Sequence, residues 1–373
     1  MKDFRLAPSL VILIIFAFCG CFLPVETDAQ TGVQSPNGGR AFSKCWELND
    51  SSIQSFASDN GKIITTDSEG NLRLYENSPD EQIWRISIGE KFETKLLTYR
   101  NRLFLLNHSP NGQKETTADI REIDVLTGIT RWTLPLKGTG KPYLLGSISE
   151  EKPVLISIFE NHVYSIDPEN GKLLWDMKIE QGVKSFTSGS KFLFVLDKEN
   201  SLLRIGLENG TALKNSKLKI KDISTIAHLN GRTLFIGTKN GSLYELSVDS
   251  SDENRVLRTG GEISFLITAG ENVLAASNDN FLYLYSSKEK DVLWKKRLAG
   301  RITVSPLVRN GTVAVTSPSE PKIYFLNLPD GAVFNQIDLP EDFTVDSLEA
   351  FEDEVLVLGS SSLLRFSAAE CRR

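Results

Sequence analysis

Histidine and cysteine are scarce in this chain of 373 residues, with three of the first and four of the second. His108, His162 and His228 are scattered, with no short metal-ligand spacing between them, so each reads as a surface or loop residue. No HExxH, paired CxxC, GxSxG or Walker-type phosphate loop occurs, which leaves the common hydrolytic chemistries without residues to carry them. A basic field is missing too. The 42 Lys and Arg against 48 Asp and Glu give a net charge of -6, which excludes the electrostatic footprint of a nucleic-acid-binding surface. Hydrophobic content of 40% with 24% charged residues is that of a globular protein, neither disordered nor a multi-span membrane protein.

What is present begins with an export signal. Lys2 and Arg5 precede an uncharged stretch from Leu6 to Val25, densest in apolar residues at Leu10 to Phe18. Three fates fit these residues. Phe18-Cys19-Gly20-Cys21 resembles a bacterial lipobox, which makes Cys21 a lipidation site and residues 1–21 the signal. Thr27-Asp28-Ala29 offers an ordinary cleavage site, extending the signal to 29, and twenty uncharged residues are also long enough to stay as an anchor. Residues 22–44 read as a flexible linker, because Thr27 to Ser43 is polar, Gly-bearing and without periodicity. All three fates place the protein outside the cytoplasm, in the periplasm or beyond it, and two of them tether it to a membrane.

From Cys45 to the end the sequence repeats with a period near forty, the mark of propeller blades. Eight alternating apolar stretches start near Ile53, Thr94, Tyr143, Val183, Ile223, Ile263, Ile302 and Val345. A more continuous apolar run follows each, as expected of strands buried on both faces. A third strand is marked by Leu72, Ile120, Val163, Leu202, Leu243, Leu282, Ile323 and Leu363. Twelve residues beyond four of these markers stand Trp84, Trp132, Trp175 and Trp294, where other rows carry Lys214, Arg255 and Asn335. Asn-Gly and Asp-Gly pairs lie between strands and favour tight turns, because glycine accepts positive φ without a Cβ clash. The fold class that follows is all-β, an eight-bladed propeller of four antiparallel strands per blade, over residues 45–373.

The last marker, Leu363, has no fourth strand after it, and Cys45-Trp46-Glu47-Leu48 supplies one. The N-terminal strand therefore completes the last blade and removes two free sheet edges. Cys45 and Cys371 are the two cysteines outside the signal region, and an exported compartment permits a disulfide between them. Loop-closure entropy sets an upper limit of roughly 5 to 6 kcal/mol on what such a bridge contributes.

The stretches Ile123 to Trp132 and Ile166 to Trp175 resemble the pyrroloquinoline-quinone-like propeller repeat. That resemblance implies that the tryptophans, Trp46, Trp84, Trp132, Trp175 and Trp294, dock each blade against the next. Quinoprotein dehydrogenases of this fold also hold an adjacent Cys-Cys pair and acidic calcium ligands around the cofactor. Neither mature cysteine here has a cysteine neighbour, so no cofactor is expected. Export, a lipobox-like signal and a repeat without catalytic residues are similar in plan to the lipoprotein propellers of the outer-membrane β-barrel assembly machinery. The implied function is a non-catalytic scaffold with a protein partner in the bacterial envelope, working as a monomeric disc. The alternative is a quinone-dependent dehydrogenase, or a small-ligand propeller using the central channel, where Glu93, Lys95, Lys184, Asp222, Glu262, Arg301 and Asp346 place both charge signs.

Two surface features complete the expectations. Asn107 to Asp119 is the longest connection between second and third strands, and it leaves the face opposite the N-terminal linker. Lys217, Lys219 and Lys221 alternate with Leu218 and Ile220 as a basic stripe on an outermost strand, where lysines oppose edge-to-edge pairing.

Overall fold

The computed structural model describes residues 42–371, apart from 60, 77, 90–92, 109–115, 149–152, 231, 251, 352–353, 360–361 and 369–370. Cys21, the signal segment and the linker up to residue 41 lie outside the described residues.

Thirty-two strands form eight antiparallel four-stranded sheets, one per blade, and the described residues contain no helix. Within a blade the strands run A to D from the central channel outward. The A strands are Ile53–Asp59, Glu93–Tyr99, Tyr143–Ile148, Val183–Ser188, Ile223–Asn230, Ile263–Ala269, Leu307–Arg309 and Val345–Phe351. The D strands of blades 1 to 7 are Gln82–Ser87, Thr130–Gly138, Leu173–Lys178, Ala212–Lys217, Glu253–Arg258, Asp291–Arg297 and Val333–Asp338. The D strand of blade 8 is Ser43–Leu48, paired with Leu363–Ser367, so the ring closes on the N-terminal strand.

Strand B is buried on both faces in every blade, as in Phe192–Asp197 and Thr312–Ser317, because each of its faces meets a neighbouring blade. The eight apolar clusters accordingly lie between blades rather than within them. Phe194 and Leu196 of blade 4, for example, pack on Leu234 and Ile236 of blade 5. Turns between strands C and D close in the same way in several blades. In blade 2 the Asp124 carboxylate accepts the N–H groups of Leu126 and Thr127, each at 3.0 Å, and Gly128, at φ +70°, donates to the Asp124 carbonyl at 2.8 Å.

Four expectations are corrected. Strand A of blade 7 begins at Leu307, five residues after Ile302, because Pro306 has no N–H for the ladder and constrains Ser305 before it. Ile302 instead fills the space between blades 6 and 7, 1% exposed. The blade 2 connection is shorter than Asn107 to Asp119, since strand B runs to His108 and strand C starts at Thr116, paired as far as His108↔Ala118. Of the three lysines only Lys217 lies on the outer strand. Leu218 and Ile220 are buried in the core between blades 4 and 5, so the chain has already turned inward at Lys219 and Lys221. The histidines all lie within strands: His108 and His228 are buried, and His162 meets Asp176 at 2.9 Å.

Candidate functional site

A single register runs across each blade and organises its contact with the next. In blade 1 Ala57, Ile64, Leu74 and Trp84 stand side by side on strands A to D. The same row is Leu97, Phe104, Glu122 and Trp132 in blade 2, and Leu145, Ile156, Ser165 and Trp175 in blade 3. A β-bulge falls at or beside the residue before each of these tryptophans. It bends the outer strand so that the indole enters the seam toward the next blade.

Each of four indoles donates to a carbonyl in the next blade's C–D turn: Trp84 to Val125 at 2.9 Å, Trp132 to Pro168 at 3.1 Å, Trp175 to Leu207 at 2.8 Å and Trp294 to Leu328 at 2.7 Å. The ring lies on the turn's glycine. A Cβ at Gly171 would sit 2.5 Å from Trp132, and at Gly331 2.6 Å from Trp294. Only glycine admits both the positive φ and this approach. Trp46 occupies the same row in blade 8 and packs with Ile53 and Phe56 of blade 1. Its N–H has no acceptor among the described residues, and the equivalent carbonyl belongs to Asn77, outside them.

Where the tryptophan is lost, charge replaces it. In blade 4 the row holds Arg204 and Lys214. Arg204 reaches Asp249 of blade 5 at 3.2 Å while lying over the Phe192 ring at 3.9 Å. In blade 5 Glu245 accepts from Lys290 and Ser287 of blade 6, both at 2.7 Å. Blade 7 offers Asn335, whose amide donates to the Phe42 carbonyl at 3.2 Å, with Phe42 stacked on Phe325 at 4.1 Å. A charged residue two positions after the strand C marker, as at Arg204 and Glu245, marks these rows only together with the missing tryptophan, since Glu122 and Arg365 hold that position in rows that keep theirs.

Cys45 and Cys371 are bonded, with Cα atoms 5.3 Å apart and 326 positions between them in sequence. Cys45 is the bulge residue of its strand, the place taken by Ile83 or Leu293 in other blades. The bridge therefore stands where a C–D turn joins the two strands elsewhere.

The charges expected at the channel do not converge. Lys184 donates to the Asn200 side chain at 3.0 Å; burial and then the Lys239 ammonium hold it below the ordinary lysine range, while Asp222 and Asp197 act the other way. Lys184 and Asp222 thus share one sector, on blades 4 and 5. The Glu262 carboxylate accepts from the Asn278 amide at 3.5 Å, and among the described residues no hydrogen bond or ion pair joins it or Arg301 to that sector. Lys95 and Asp346 are exposed, and the side chain of Glu93 lies outside the described residues. Sequence reasoning missed Glu349, on strand A of blade 8. Burial pushes its carboxyl up to about 8, against a weaker opposite pull from Lys95.

A quinone group does not fit these residues. The two described cysteines bond to each other at the rim rather than standing adjacent in the channel, and no three His, Cys, Asp or Glu side chains gather for a metal ion among the described residues.

Comparison with known proteins agrees with this architecture. The designed protein Ika8 is 12% identical, with a TM-score of 0.67 over 87% of this chain and 99% of its own. BamB from Moraxella catarrhalis gives 12%, 0.64, 88% and 100%, and Sqt1 from Saccharomyces cerevisiae 12%, 0.65, 88% and 99% in the same order. At such identities the likeness is one of fold. No curated protein matches the sequence. The model of the family described as outer membrane protein assembly factor BamB matches residues 31–256, more than half of the sequence, and the chain belongs to that family.

Proposed function

We propose that this protein is a non-catalytic scaffold of the bacterial cell envelope that holds a protein partner during outer-membrane protein assembly. The observation that carries the reading is membership of the assembly-factor family, in a disc whose conspicuous polar side chains serve the seams between blades. The export signal read in residues 1–21, or as far as 29, supports the compartment, and a disulfide fits an exported chain. A tether at the N-terminus, through Cys21 or through the uncharged stretch, would leave from the face of the C–D turns, because Ser43 starts a D strand. The opposite face, with Lys184, Asp222 and Glu262, would then be turned to the partner.

Photo-crosslinking in intact envelopes tests this. A benzophenone at Lys184 or Glu262 is expected to capture a component of the outer-membrane assembly apparatus, and one at Asp330 or Lys288 on the other face is not. Protein adducts absent from both faces would remove the scaffold reading. A rise in melting temperature with quinone and Ca²⁺ would replace it with ligand binding in the channel.

A further inference from the structure

The eight seams are not equally closed. At the strand A position of the docking row, seven blades present Ala57, Leu97, Leu145, Thr187, Ala227, Ile267 and Leu307 to the next blade, and blade 8 presents Glu349. A carboxyl stands where the others carry apolar or small side chains. On blade 1, Ser58 and Thr65 are buried on the face that Phe56 and Ile63 turn to blade 8. The apolar core here is Ile53, Phe56, Ile63, Leu356, Leu358 and Leu363, smaller than the core of any other seam among the described residues.

This is also the blade assembled from both ends of the chain. Its outer strand pairs with Leu363–Ser367 in a ladder interrupted between Lys44 and Trp46, and no turn joins the two strands. What fastens the outer strand at that end is the Cys45–Cys371 bond, the Phe42 stack and the Asn335 hydrogen bond. Both cysteines are half-buried at the rim, within reach of a reductant.

We propose that the Cys45–Cys371 bond is a redox latch. Intact, it keeps the seam between blades 8 and 1 shut; reduced, it lets Ser43–Leu48 leave the sheet and opens the ring at blade 8, at that seam first. The step balances with a dithiol as reductant. One thiolate attacks a sulfur of the bridge, forms a mixed disulfide and releases the other cysteine. The second thiol of the reductant then frees the first cysteine, so the protein gains two electrons and two protons and the reductant becomes its disulfide. An exported dithiol oxidoreductase has the chemistry to act as that partner. The latch concerns the ring itself and holds whether or not the scaffold reading does.

Hydrogen exchange on the folded full chain, with and without dithiothreitol, tests it. Reduction is expected to speed exchange more than tenfold in Ser43–Leu48 and Leu363–Ser367, leaving Val183–Ser188 and Ile223–Asn230 unchanged. Glu349→Leu, which gives this seam the leucine of its counterparts, is expected to cut that acceleration. Equal exchange in oxidised and reduced protein would overturn the latch. So would equal loss of protection in all blades, or an acceleration that Glu349→Leu leaves untouched.

Discussion

Glu349 shows what one residue does to a seam. Its carboxyl titrates near 8 in the folded protein, above the ordinary value near 4.5, because burial disfavours the charged form. The folded state therefore holds a proton that the unfolded chain has released between those values. Stability from this group is full below pH 4.5 and falls as pH rises to 8. The residue as a whole keeps a minor exposed part, so the loss is discounted to about 2 to 3 kcal/mol from the full product of the shift. Urea melts at pH 5 and 8 are expected to show that difference in the wild type, and Glu349→Gln to flatten it. Gly171→Ala should cost about 2 to 4 kcal/mol in the same assay, since its Cβ meets Trp132 in a backbone conformation that alanine resists. Four of the docking tryptophans were legible in position, because an indole twelve residues past an apolar marker recurs, and in role through the resemblance to the family's repeat. Glu349 was not, since its role depends on a register shared by four strands.

At the scale of strands, the sequence showed most where burial is two-sided. Every strand B stood out as an apolar run, and the turn glycines followed from positive φ. Strand A of blade 7 did not, because Pro306 silences the ladder while leaving the apolar pattern of Ile302 and Val304 intact. The buried histidines were misjudged for a related reason: a polar side chain inside a strand carries no periodic mark of its own. The N-terminal strand gives a direct test at this scale. A chain beginning at Ser51 would leave Leu363–Ser367 as an unpaired, buried-sequence edge, and light scattering is expected to show association that the full chain lacks. Asn335→Ala should be milder, costing about 1 kcal/mol and raising exchange chiefly in Ser43–Leu48.

For the whole molecule, eight seams of similar design differ in what fastens them. Indole hydrogen bonds hold four, two of which also carry ion pairs, Arg102–Glu169 and Lys198–Glu160, while ion pairs without an indole bridge the two between blades 4 and 6. High salt is expected to loosen the ion-paired sector first, by about 0.5 to 1 kcal/mol, read as faster exchange in Ala212–Lys217 and Glu253–Arg258. The bridge between Cys45 and Cys371 has a further consequence, one of connectivity. It turns a linear polymer into a macrocycle whose beginning and end are neighbours. A protease that cuts one surface loop then converts the cycle into a line of nearly the same length, still a single covalent molecule carrying all eight blades. Release of a fragment takes two cuts, and the native ends are one choice of starting point among many that the same disc would accept.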